Sequence, residues 1–140
     1  MISVESMIAQ TRSHMGRSGK NLDTLTSWIE TCLHNGIIEY FYISLHPDHK
    51  LSPGSEIIIS ILTRKAFHSF NIKSTSEDVY ACVPLKSIEW ITEFQPPDKD
   101  SYVVQLFIPK TVMTISDVIT RKDGLQDFSN MIKRAIEGLE

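Results

Sequence analysis

The sequence predicts an α+β fold, mainly antiparallel β: about seven strands, a capping C-terminal amphipathic helix and an N-terminal helical extension. Three observations predict it. Up to about Gly36 the apolar residues recur at helical spacing; from Ile37 their period is close to two; after Asp123 the helical period returns. The strand-like segments follow one another through short polar connections with no interleaved helices, an order that favours antiparallel pairing over a βαβ arrangement.

The division at Gly36 separates an N-terminal helical segment, 1–36, from a β-domain with its closing helix, 37–140. Val4, Met7, Ile8 and Met15 have partial helical spacing, interrupted by the flexible stretch Gly16–Lys20 (GRSGK). Leu22, Leu25, Trp28, Ile29, Cys32 and Leu33 then form one apolar stripe. Asn21 or Asp23 can cap its start, and Asn35-Gly36 supplies a left-handed residue to end it.

Ile37–Leu45 is rich in β-branched and aromatic residues and stops at His46-Pro47-Asp48. Glu56–Leu62 follows the Pro53-Gly54 turn, Ala66–Ile72 comes next, and Val79–Val83 stops at Pro84. In Ser87–Phe94 the alternation sets Ile88, Trp90 and Phe94 on one face and Glu89 and Glu93 on the other, towards water. Tyr102–Ile108 and Val112–Ile119 flank Pro109-Lys110, a tight hairpin signal.

The closing helix, 123–140, is the most strongly patterned element. Asp123 and Gln126 stand at capping-box spacing, and Leu125, Phe128, Met131, Ile132, Ala135, Ile136 and Leu139 repeat at three- and four-residue steps. Burying its large apolar side chains is worth ~1.5–3 kcal/mol each before entropy is subtracted, so this face requires an apolar surface.

With 140 residues the chain fits one domain, and its 41% hydrophobic and 22% charged residues are ordinary for a globular protein. No apolar run approaches the ~20 residues that span a bilayer. The positive charges of the N-terminus follow its apolar residues, the reverse of a secretory signal, so a cytoplasmic location is expected. A net charge of −3 argues against broad electrostatic attraction to nucleic acid or anionic membrane and leaves room for a local patch; nucleic acid is not expected as a partner. Cys32 and Cys82 are too few for a disulfide framework and, in apolar surroundings, are expected to be buried reduced thiols.

Two stretches carry a family resemblance. GSEIIISILTRKAFHSFNI (Gly54–Ile72) resembles the bacterial pleckstrin-homology-like (PH-like) and GRAM-like pattern of a "gE-i" strand followed by an "lT-kr-f-f" strand. VPLKSIEWI (Val83–Ile91) resembles the "ipl-sI--i" strand entry of the same families. The resemblance covers roughly residues 37–139 and implies a seven-stranded PH-like barrel capped by the C-terminal helix. It also implies where a phosphoinositide would bind: a basic pocket between the first strands. Here the corresponding loop, HPDHKLSPGS, has Lys50 as its single Lys or Arg, and Arg64 and Lys65 lie beyond the far end of the second strand.

His46-Pro47-Asp48-His49 contains zinc-ligand types but has no distant partner cluster, so it reads as a polar turn and no metal or other cofactor is expected. Gly16–Lys20 has two residues between its glycines where a P-loop has four, and Asn21 follows the Lys, so it reads as a linker. There is no G-x-S-x-G and no H-E-x-x-H, and no catalytic residue is predicted. Trp28 and its stripe either pack on the sheet or dock a partner.

The expectation is therefore a non-enzymatic adaptor that engages protein partners or self-associates. The alternative is a peripheral module for phosphoinositide or anionic lipid; a third reading is a small-ligand or enzymatic pocket between the N-terminal helices and the sheet. The candidate binding residues are Trp28, His46, His49, Lys50, Arg64 and Lys65.

Overall fold

The computed structural model describes residues 2–11, 22–45, 56–73, 78–97 and 99–139. Two helices, α1 (Val4–Ala9) and α2 (Leu22–Leu33), precede β1 (Tyr40–Leu45), β2 (Glu56–Leu62), β3 (Ala66–Lys73), β4 (Val79–Pro84), β5 (Trp90–Phe94), β6 (Ser101–Ile108) and β7 (Thr111–Val118), and α3 (Lys122–Glu137) closes the chain. The seven strands form two antiparallel sheets, β1-β2-β3-β4 and β5-β6-β7, where the sequence suggested a closed barrel. The ladder breaks between β4 and β5 because a 3₁₀ turn, Leu85–Ser87, intervenes. At the other corner β1 and β7 touch without pairing.

Strict alternation in the first sheet builds two cores, one on each face. The row Ile43–Ile59–Phe70–Tyr80 and its neighbour Phe41–Ile61–His68 face the N-terminal helices, where Met7, Ile8, Leu25, Ile29 and Leu33 cover them. The other face presents Tyr42, Leu62, Phe67 and Val83 to the second core. That core is completed by Tyr102, Val104, Leu106 and Ile115 from the second sheet and by Leu125, Phe128 and Ile132 of α3. The row opposite Tyr42 is small, Ser60–Ser69–Ala81, which leaves room for the large side chains of the facing wall.

Two local expectations are corrected, and a third is narrowed to Asn35 of the Asn35-Gly36 pair. The α3 helix begins one residue before Asp123, with Arg121 at the cap position and no side-chain cap hydrogen bond; Arg121 instead turns to a carboxylate described below. At the end of α2 the left-handed residues are His34 (φ 48°) and Asn35 (φ 64°). Gly36 is needed for close approach, since a Cβ there would lie 2.8 Å from the Leu33 carbonyl oxygen. Cys82 is exposed, because it lies near the end of the edge strand β4, and Cys32 is half-buried. The Pro109-Lys110 hairpin forms as read, with Ile108 paired to Thr111 and Lys110 at φ 70°.

The two sheets and α3 are joined at Asp117, whose side chain is fully buried on β7. Tyr42 on β1 donates its hydroxyl to Oδ2 at 2.5 Å, the Val118 amide donates to Oδ1 at 2.8 Å, and Arg121 Nη1 is 2.9 Å from Oδ2. The Arg121 guanidinium also lies over the Tyr42 ring, 5.4 Å from its centre. Burial, followed by the Asp117 hydrogen bond and charge, pushes the Tyr42 phenol well above its ordinary pKa, against the lowering effect of Arg121. Asp117→Ala is expected to cost about 2–4 kcal/mol in urea unfolding, because it strands a buried phenol and loosens a half-exposed guanidinium. Tyr42→Phe should cost about 1 kcal/mol, and the double variant less than the sum by at least ~0.5 kcal/mol. Strict additivity would show that Asp117 and Tyr42 do not act together.

Candidate functional site

Arg64 and Lys65 occupy the tight turn between β2 and β3. The Thr63 amide bonds the Ala66 carbonyl at 3.0 Å, the Thr63 hydroxyl bonds the same oxygen at 3.2 Å, and the Leu85 amide bonds the Lys65 carbonyl at 2.9 Å. The backbone is thus tied on both sides while both cationic side chains are exposed. A cleft of about 500 Å³ opens on each side of this turn. One runs along the C-terminal half of α3 past Met131, Arg134, Ala135 and Leu139. The other runs along the α2–β1 connection and reaches His68.

His68, buried on β3, is the centre of a hydrogen-bonded brace. Its Nε2 is 3.3 Å from the Thr63 hydroxyl and its Nδ1 is 2.8 Å from the Tyr80 hydroxyl, which in turn donates to the Cys32 carbonyl at 3.3 Å. A neutral ring with its proton on Nδ1 satisfies the Tyr80 link, where Tyr80 accepts from His68 and donates to α2, and leaves the single Thr63 hydroxyl hydrogen shared between His68 Nε2 and the Ala66 carbonyl. Burial lowers the His68 pKa below its ordinary value, and the charge of His34 lowers it further. Burial likewise raises the Tyr80 phenol, assisted by the Cys82 thiol hydrogen bond and by the Cys82 and Cys32 charges. Both groups therefore stay neutral around pH 7, and the brace fastens α2 to the sheet.

Of the six candidate residues the structure describes three, Trp28, Arg64 and Lys65. Trp28 is half-buried and packs edge-on against Phe70 (5.3 Å between ring centres) and Tyr80 (6.5 Å), as part of the cover of the first core. Arg64 and Lys65 come together with Arg134, which the sequence did not single out because it sits on the polar side of an amphipathic helix. His46, His49 and Lys50 lie outside the described residues. The strand ends that flank their loop, Leu45 and Glu56, are at the opposite end of β2 from Leu62, about 20 Å away along seven residues.

A further surface emerges on the outer face of β5-β6-β7. Its cross-strand rows are Trp90–Phe107–Val112, Thr92–Gln105–Thr114 and Phe94–Val103–Ser116, and none of the nine carries a charge. Trp90 is 53% exposed and stacks on Phe107 at 4.8 Å; Phe94 and Val112 are also exposed. This reverses the expected orientation of β5. The period of two does not run through the 3₁₀ turn, so Ile88 is buried while Trp90 and Phe94 face outward. Glu93 faces α3, where it pairs with Lys133 at 2.5 Å.

No protein-family model matches the chain. No curated protein matches its sequence. Among solved structures it is similar to the hSac2 domain from the human phosphoinositide phosphatase Sac2, with a TM-score of 0.57 over 99% of this chain and 86% of that one, at 15% identity. The hSac2 domain has a PH-like fold, and the likeness shows that this chain has a PH-like fold too, built as a two-sheet sandwich. At this identity it carries the fold alone. Among the described residues no group of three or more His, Cys, Asp and Glu side chains is arranged to hold a metal ion, and no helix is long and apolar enough to cross a membrane.

The depressed pKa of His68 has a measurable consequence. Below about pH 6.5 the unfolded chain takes up a proton at this imidazole that the folded chain refuses, so this contribution to stability is present above that pH and is lost as pH falls towards the folded pKa. Urea unfolding between pH 7.5 and 5 should show declining stability. His68→Gln should be less stable at pH 7.5 but flatter with pH; an unchanged slope would remove His68 as its source.

Proposed function

We propose that this chain is a non-enzymatic docking module that self-associates through the outer face of β5-β6-β7. The observation that carries the reading is the half-exposed Trp90 stacked on Phe107 within a sheet face free of charged side chains. A two-fold contact sets a patch against its own copy, so any charge near the axis meets a like charge. A net charge of −3 makes such a neutral face the favoured place for two copies to meet. Exposed aromatic residues supply the apolar area that anchors interfaces. The cytoplasm and the bacterial PH-like type belong to the same proposal, the latter supported by the Gly54–Ile72 and Val83–Ile91 stretches.

The lipid alternative through Lys50 finds less support, since Arg64 and Lys65 sit at the other end of β2 from the strand ends flanking that loop. A pocket beneath the N-terminal helices likewise finds less support, because Met7, Ile29, Ile59 and Ile61 pack there without solvent exposure.

Sedimentation and light scattering of the purified chain should show a dimer whose fraction rises with concentration. Trp90→Glu should weaken it at least about tenfold while leaving the melting temperature near that of the parent. Thr114→Lys and Thr114→Glu, both at an exposed position, should each favour monomers yet associate with one another when mixed. A chain that stays monomeric at every concentration, or a dimer indifferent to these changes, overturns the proposal.

A further inference from the structure

We infer that the cleft between the β2–β3 turn and α3 binds a phosphate monoester carrying an apolar tail. Three cations border it: Arg64 and Lys65 on the turn and Arg134 on α3. None of them forms an ion pair among the described residues, where one carboxylate, Glu39, shares the cleft. Among the described residues that line the cleft, three positive charges stand against one negative, on a chain whose net charge is −3. The surplus of two matches a phosphate monoester above its second pKa of about 6. Two guanidiniums supply the planar forks that grip phosphate oxygens in pairs, and the ammonium adds a point charge.

The remaining wall is apolar. Met131, Ala135 and Leu139 descend α3 towards the cleft, and Leu62 and Tyr40 face them. Leu139 is 45% exposed and Tyr40 44%, so large apolar side chains are left to water directly beside unpaired cations. Inorganic phosphate would neutralise the cations and leave this wall wet; a plain hydrocarbon would cover the wall and leave the cations uncompensated. An amphiphile does both, and a volume of about 500 Å³ suits a headgroup with a short length of chain. The phosphate can come from a membrane lipid or from a soluble amphiphile, and the chemistry at the cleft is the same.

The test is calorimetric titration of the full chain with hexyl phosphate, inorganic phosphate and hexanol, alongside sedimentation with phosphatidylcholine vesicles with and without phosphatidic acid. Hexyl phosphate should bind at least about tenfold more tightly than either fragment, with affinity falling as salt rises. Arg64→Ala combined with Arg134→Ala should lose at least about tenfold. Glu39→Gln should strengthen binding by about twofold to fivefold, a gain that damage to the fold would not produce. Melting of both variants should match the parent, since Glu39, Arg64 and Arg134 are exposed. Co-sedimentation dependent on phosphatidic acid supports the site with a membrane source, and hexyl phosphate binding without it supports the site with a soluble one. Hexyl phosphate binding no better than inorganic phosphate, or unchanged binding by the double variant, overturns the inference.

Discussion

At the corner where β1, β7 and the start of α3 meet, a carboxylate sits out of reach of solvent, and each element supplies one of its partners. Removing a carboxylate from water costs several kcal/mol unless charge and hydrogen bonds replace the lost hydration. For Asp117 the replacements are the Tyr42 phenol from β1, the neighbouring Val118 amide and the Arg121 guanidinium at the mouth of α3. A shift of either sheet or of the helix breaks at least one of them. The chain approaches closely here: a Cβ on Gly124 would lie 3.4 Å from the Tyr42 ring. This charged contact ties both sheets to the start of α3 among buried side chains that are mostly apolar.

That arrangement decides which surfaces remain for binding. The first sheet is covered on both faces, by the N-terminal helices on one side and by α3 with the second sheet on the other. Among the described residues the second sheet is covered on its inner face alone, which leaves Trp90, Phe107 and Val112 at the surface. The apolar stripe of α3 is consumed in the core as far as Ile132, while its last turns run past the β2–β3 turn and form the wall of a cationic cleft. The two proposed contacts therefore use different elements, and one can be disabled without touching the other.

Local order was readable to a good degree from residue patterns. Glu56–Leu62 and the Pro109-Lys110 hairpin appear where alternation and turn chemistry put them, and Leu22–Leu33 appears where the apolar stripe does. The errors fall where one local rule was carried across a change of backbone geometry. Trp90 was assigned inward by extending the alternation back to Ile88, but Ile88 ends a 3₁₀ turn and stands outside the ladder. Asp123 has the spacing of a cap, yet the helix starts at Lys122, with Arg121 at the cap position and its guanidinium turned back across a 3₁₀ turn to Asp117, four residues earlier.

The candidate site shows the same boundary. Arg64 and Lys65 announced themselves as adjacent cations after a strand, but Arg134 lies far along the chain on the polar side of a helix, where a cation ordinarily means solvation. Nothing in its neighbourhood marks it until α3 is laid beside the β2–β3 turn. Similarly, a lone His68 and a lone Tyr80 become a brace because antiparallel pairing sets β3 beside β4 under α2. By itself the sequence determined which segments become helix or strand and which of their faces are apolar, since both depend on steric preference and period along a few neighbouring residues. Tertiary structure alone decided whether seven strands close into a barrel or stack as two sheets, and which faces stay uncovered. Those outcomes depend on contacts between residues far apart in the chain, such as Tyr42 with Asp117, and no local period encodes them.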